Sequence, residues 1–133
     1  MNSNSKRIMA IDYGEKRVGI ASTDETGQFA LPRRVLANDA RLLESVLEFR
    51  NHNKIDLVIL GESKNFEGRP NPIQEKIAKF KNDLEELGME TVFHPEVMTT
   101  LEARRLQGNG EMTDASAAAL ILKSFLDTMY NKR

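Results

Sequence analysis

Three acidic residues stand where strand and helix boundaries fall in this chain. Asp12 closes the apolar run Arg7 to Asp12, Glu96 follows the segment Glu90 to His94, and Asp114 opens a long helical pattern. Three carboxylates brought within about 4 Å of one another would repel by roughly 4 kcal/mol per pair at an effective dielectric of about 20, so the cluster calls for a cation or for protons. All-oxygen donors select Mg²⁺ or Mn²⁺ over zinc. Two such ions about 4 Å apart activate water and stabilise the leaving oxygen in phosphodiester hydrolysis. Each acid also has a structural account: Asp12 before Tyr13-Gly14 initiates a turn, Glu96 decorates a loop, and Asp114 gains roughly 0.3 to 1 kcal/mol from a helix dipole. Spacing alone does not choose between the accounts.

The elements that must position these acids are legible as alternating strand and helix signals, with no repeat, low-complexity tract or linker. Arg7 to Asp12, Arg17 to Thr23 and Phe29 to Ala37 are strand candidates, the last two joined across Asp24 to Gly27. Three strands before any helix disfavour a Rossmann start. With Asn38 or Asp39 as N-cap, Leu42, Leu43, Val46 and Leu47 predict a helix ending near His52. Asp56 to Gly61 is a buried strand; Asn71-Pro72 with Gln74 forms a capping box for a second helix, whose stripe is Ile73, Ile77, Phe80, Leu84 and Leu87 and whose stop is Gly88. Glu90 to His94 is a last strand, ended by Pro95. Thr99 and Thr100, with Glu102, open a short helix to about Leu106, and Gly108 to Gly110 is a loop. The final helix runs from Asp114 to about Tyr130, burying Ala115, Ala118, Leu122, Phe125, Leu126 and Met129.

That order predicts an α/β fold with a mixed five-stranded sheet, a three-stranded antiparallel meander plus two parallel strands, flanked by helices. Parallel strands end together, so Asp12, Gly61 and the loop after His94 should meet at one edge. A length of 133 residues suits a single domain, expected over 7–131 after a disordered tail over 1–6. The absence of cysteine excludes disulfides, thiolate metal sites and a cysteine nucleophile. No apolar run is long enough for a membrane span and the start is polar, so a cytoplasmic address is expected. A net charge of −1 disfavours a non-specific nucleic-acid coating protein but leaves room for a local basic rim. Basic pairs occur at Lys6/Arg7, Lys16/Arg17, Arg33/Arg34, Arg104/Arg105 and Lys132/Arg133, and they matter only if they share a face.

The segment Ile11-Asp12-Tyr13-Gly14-Glu15-Lys16-Arg17-Val18-Gly19-Ile20-Ala21, with Asp24-Glu25 following, resembles the opening signature of the YqgF/RuvX family of Holliday-junction-resolvase-like, pre-16S ribosomal RNA maturation nucleases. Glu96-Val97-Met98-Thr99-Thr100-Leu101-Glu102-Ala103 is similar to that family's Glu-Arg-Leu-Thr-Thr segment, and Asp114 to Leu122 to its closing Asp-x-x-Ala-Ala helix. The resemblance spans nearly the whole chain. It implies an RNase H-like fold and Asp12, Glu96 and Asp114 as a catalytic triad that binds Mg²⁺ or Mn²⁺. It further implies that water attacks a phosphodiester phosphorus, that Gly14 lets a turn run close to substrate, and that Lys16, Arg17, Thr99, Thr100, Arg104 and Arg105 hold nucleic acid.

The chain differs from the family pattern in having Pro95-Glu96-Val97 where Asp-Glu-Arg is usual, and Gly61-Glu62-Ser63 where Gly-x-Pro is common, which makes Glu62 a candidate extra acid or a solvated loop residue. The loop before the last helix lacks the family's lysines. Precursor ribosomal RNA is the expected substrate of a monomer or weak homodimer away from membranes. The alternatives are a branched-DNA resolvase, a catalytically silent RNA-binding module of the same fold, and a phosphotransferase, since Asp-x-Gly before a hairpin also resembles the first phosphate motif of two-lobed kinases. The two histidines, His52 and His94, read as surface or strand-end residues.

Overall fold

Alternation of side chains along the strands decides how this molecule is layered. The computed structural model describes residues 6–62, 72–95 and 113–131. Within them Ile8–Tyr13, Arg17–Thr23, Ala30–Ala37, Leu57–Glu62 and Thr91–Pro95 form strands β1 to β5, and Leu42–His52, Ile73–Glu86 and Thr113–Asn131 form helices α1 to α3. The strands make one sheet in the order β3-β2-β1-β4-β5. The first three pair antiparallel, while β4 runs parallel to β1 and β5 parallel to β4. This is the expected meander with two parallel additions.

Met9 and Ile11 of β1, Val18 and Ile20 of β2, and Val58 and Leu60 of β4 face α1 and α2, where Val46, Phe49, Ile77, Phe80 and Leu84 complete one apolar cluster. The alternate residues Ile8, Ala10, Ala21, Leu57 and Ile59 face α3 and meet Ala118, Ile121, Leu122 and Leu126. A sheet covered on both faces explains why β1 is apolar from Ile8 to Ile11 and β4 from Leu57 to Leu60. The predicted inner face of α3 needs correction: Ala117 and Ile121 are fully buried, whereas Met129 is 40% exposed. Alanines seat the first turns so close that a wide face is covered, and Met129 lies beyond Leu126, the last α3 side chain buried against the sheet among those described.

The caps differ in detail from expectation. Neither Asn38 nor Asp39 is the N-cap of α1; Arg41 holds that position without a side-chain bond. Asp39 instead accepts from the Arg41 N–H through Oδ1 at 3.0 Å, and its carbonyl accepts from the Leu42 N–H at 3.1 Å, an Asx turn that leads into the helix. Pro72 has helical angles, φ −55° and ψ −30°, immediately before α2, while Asn71 and its capping box lie outside the described residues. Gly88 ends α2 as expected: at φ +90° it donates to the Glu85 carbonyl at 3.0 Å while Met89 donates to the Leu84 carbonyl at 3.1 Å, the paired bonds of a Schellman motif. The expected short helix from Thr99 and the loop at Gly108 lie outside the described residues.

Candidate active site

β1 turns into β2 through residues 14–16, and that turn is held from three sides. A side chain on Gly14 would meet the Arg17 carbonyl, so the glycine is needed by the turn itself. The carbonyl of Gly14 accepts from Asn38 Nδ2 at 2.7 Å, and the Asn38 N–H donates to the Lys16 carbonyl at 3.0 Å, tying the turn to the end of β3. Glu15 and Lys76 of α2 form an exposed ion pair at 3.7 Å, a geometry that adds little energy. Lys16 and Arg17 are thereby presented to solvent on a fixed backbone.

Asp12 is the last buried residue of β1, 8% exposed, and shares the parity of Ile8 and Ala10, so it faces the α3 side. Its cross-strand partner is Gly19. Directly over Gly19 sits the first turn of α3, with the Asp114 carbonyl in the space a side chain would take and the Ala115 nitrogen 2.9 Å from it. Asp114 therefore arrives one strand beside Asp12, a spacing of about 4.8 Å between neighbouring strands. Its side chain is 15% exposed and its Oδ2 accepts from Arg17 Nε at 3.1 Å. The backbone of one predicted acid, Asp114, thus lies over the strand position paired with another, Asp12, and the predicted substrate cation Arg17 is bonded to Asp114.

The register also carries the predicted edge. Ile11 pairs with Leu60, Gly61 with His94 and Glu62 with Pro95, so Asp12, Gly61 and His94 lie across the carboxyl ends of the parallel strands. Glu96, Thr99, Thr100, Arg104 and Arg105 follow that edge in sequence and lie outside the described residues. Glu62 shares the parity of Val58 and Leu60 and belongs to the α1/α2 face, opposite Asp12. Of the other described basic pairs, Lys6/Arg7 and Arg33/Arg34, the second does not join the site. Arg33 donates from Nε to the Ser22 hydroxyl at 2.8 Å, and Arg34 stacks 5.7 Å from the Phe49 ring centre on the α1 side.

The donor chemistry fits a hard divalent cation: two carboxylates on one face, shielded from solvent, with positive charge already drawn to one of them. Among the described residues no three acidic or histidine side chains are grouped closely enough to hold a metal. Sequence reasoning missed Gly19 and Asn38. An interior strand glycine between Val18 and Ile20 was the available signal, since such glycines mark close approach of another backbone. His94 was read as a strand-end residue, and it is one with a tie: its Nε2 lies 2.9 Å from the Ser124 hydroxyl of α3.

A mixed five-stranded sheet with helices on both faces and acids at the carboxyl edge defines the RNase H-like class. Solved structures bear out the fold: a Thermus thermophilus RuvC bound to a Holliday junction substrate aligns with a TM-score of 0.60 at 17% identity, over 94% of this chain and 96% of that one. The fowlpox virus resolvase in complex with Holliday junction DNA aligns at 0.55 and 14% identity, over 92% and 98%. The chain belongs to the RuvX family, described as Holliday junction resolvase, whose pattern matches residues 6–128. Among its relatives, a Clostridium tetani protein is 31% identical, covering 95% of this chain and 99% of its own, and a Caldanaerobacter subterraneus protein is 30% identical over 94% and 99%. Both carry the name "Putative pre-16S rRNA nuclease".

Proposed function

We propose that the protein is a divalent-metal-dependent nuclease acting on precursor 16S ribosomal RNA, with Mg²⁺ or Mn²⁺ held by Asp12, Asp114 and Glu96. The observation that supports this reading is the placing of the Asp114 backbone over Gly19, the register partner of Asp12, at the carboxyl edge of the sheet. Relatives aligned over nearly their full length and named for that substrate support it. A cation held by Asp12, Asp114 and Glu96 would supply the positive charge that acidifies water and stabilises the departing oxygen. The chain's own residues do the rest. Asp12, fixed by the sheet, and Asp114, fixed by the first turn of α3, set where attack occurs. Arg17 and Lys16, exposed on the braced turn, hold the phosphate backbone so that water approaches phosphorus opposite the bond that breaks. Thr99, Thr100, Arg104 and Arg105 extend that grip.

Branched DNA is the second reading, because the family description itself is that of a Holliday junction resolvase. One experiment separates the two. Precursor 16S ribosomal RNA and a four-way DNA junction are incubated in parallel with Mg²⁺, Mn²⁺ or a chelator, using the native chain and Asp12→Asn. The expected outcome is cleavage of the RNA, loss with chelator, and a fall of roughly a thousandfold for Asp12→Asn, the loss of about 4 kcal/mol of transition-state stabilisation. Cleavage of the junction alone would move the assignment to DNA. Binding of RNA with no cleavage under any metal would make the protein a silent binding module.

A further inference from the structure

Gly19 sits inside β2 between Val18 and Ile20, both fully buried. A glycine there weakens a strand, since it packs nothing and costs extra entropy on folding, so the position needs a reason. Backbone conformation is not that reason: among the described residues positive φ occurs at Gly27, Gly88 and Lys54. The reason is the neighbour. A Cβ at Gly19 would overlap the Asp114 carbonyl and stand 2.9 Å from the Ala115 nitrogen, both backbone atoms of a helix turn that cannot yield without moving α3. On its other side Gly19 is the register partner of Asp12. One residue therefore touches the backbone of one acid and is paired to the strand that carries the other.

The geometry points to Gly19 as the positioning residue of the acidic site: its missing side chain lets the first turn of α3 rest on β2, and so sets how near the Asp114 carboxylate stands to that of Asp12. This rests on the reading of those acids as cation ligands. Any side chain at Gly19 lifts the first turn of α3 from the sheet and widens the gap between the two acids. Ala21 makes the comparison possible. It lies two residues along on the same face, is fully buried, and packs in the cluster that contains Ala118 of α3, away from the acids. Enlarging Ala21 crowds that cluster, to which neither Asp114 nor Ala115 belongs.

The test is the affinity of the full chain for Mn²⁺ alone, read by calorimetry and by the rise in unfolding midpoint with added Mn²⁺, without nucleic acid. Gly19→Ala is expected to bind Mn²⁺ about tenfold to a hundredfold more weakly than the native chain, the range for losing a group that orients a ligand. Ala21→Val is expected to lower the metal-free midpoint and leave Mn²⁺ affinity unchanged. Asp114→Glu, one methylene longer, is expected to weaken binding in the native background and to restore part of it in the Gly19→Ala background. Equal Mn²⁺ affinity for Gly19→Ala and the native chain, or equal losses in Gly19→Ala and Ala21→Val, overturns the proposal. So does a Gly19→Ala chain that fails to fold while Ala21→Val folds, because the glycine then serves the fold and not the gap. A native chain that binds no Mn²⁺ defeats the metal reading beneath the proposal, an outcome distinct from one in which it binds and Gly19→Ala binds equally.

Discussion

Arg17 gives the site its sharpest residue-level test. Its side chain is 67% exposed yet bonds Asp114 at 3.1 Å, so the ion pair itself is worth little to stability while the cation stands ready for a phosphate. Arg17→Gln should weaken nucleic-acid binding about equally for all sequences and reduce the slope of log affinity against log salt by about one, measured by titration across a KCl series. An unchanged slope would place Arg17 outside the phosphate track. Thr23 tests the scaffold instead. Its buried hydroxyl accepts from the Ile8 N–H at 3.1 Å where β1 begins, so Thr23→Val should cost about 1 to 3 kcal/mol in denaturant unfolding by orphaning that donor. The sequence announced Asp12 and Asp114 through the boundaries they occupy, but neither the Arg17–Asp114 bond nor the Thr23–Ile8 bond has a local signature. Both join residues distant in the chain, and only the folded sheet brings them together.

At the scale of elements, the ends of helices carry the clearest contrast between what residue type reveals and what context imposes. Gly88 was readable as the stop of α2 because glycine alone occupies left-handed backbone without strain. Lys54 does the same work for α1 and was not readable: at φ +54° it allows Ile55 to donate to the Arg50 carbonyl at 3.0 Å and Lys54 itself to donate to the Asn51 carbonyl at 3.3 Å. Burial of Ile55, 4% exposed, holds the turn in place against the preference of a lysine. Lys54→Gly should therefore raise stability by about 1 kcal/mol in chemical denaturation, the cost of left-handed backbone for a residue with a side chain. A loss of stability on that change would mean that the flexibility glycine adds to the unfolded chain outweighs the strain relieved. The strands were legible within a residue or so because β1 is apolar up to Asp12 and β4 up to Gly61. The inner face of α3 was blurred because a run of alanines fits several helical faces, and which one packs is decided by the sheet beneath it.

For the whole molecule, the joint between α3 and the far edge of the sheet makes stability depend on pH. His94, at the end of β5, is half-buried, meets the Ser124 hydroxyl through Nε2 at 2.9 Å, and sets its ring edge-on to Phe125 with centroids 5.7 Å apart. Burial away from water holds its pKa below the usual 6.5. The folded state then binds fewer protons than the unfolded state over the interval between that lowered value and 6.5. Stability from this group is complete above the unfolded pKa, falls as pH drops through the interval, and levels off below the folded pKa. Asp24 acts with the same sign in a lower window: the Thr26 hydroxyl, with the Gln28 and Phe29 backbone, holds its carboxyl below 3.8, so its share is lost only in stronger acid. Unfolding midpoints measured from about pH 7 to about pH 5 should decline for the native chain and decline less for His94→Gln, which keeps a hydrogen-bonding group facing Ser124 but does not titrate. If the decline is identical in the two proteins, protonation elsewhere governs it, and the β5–α3 joint does not couple acid to the fold.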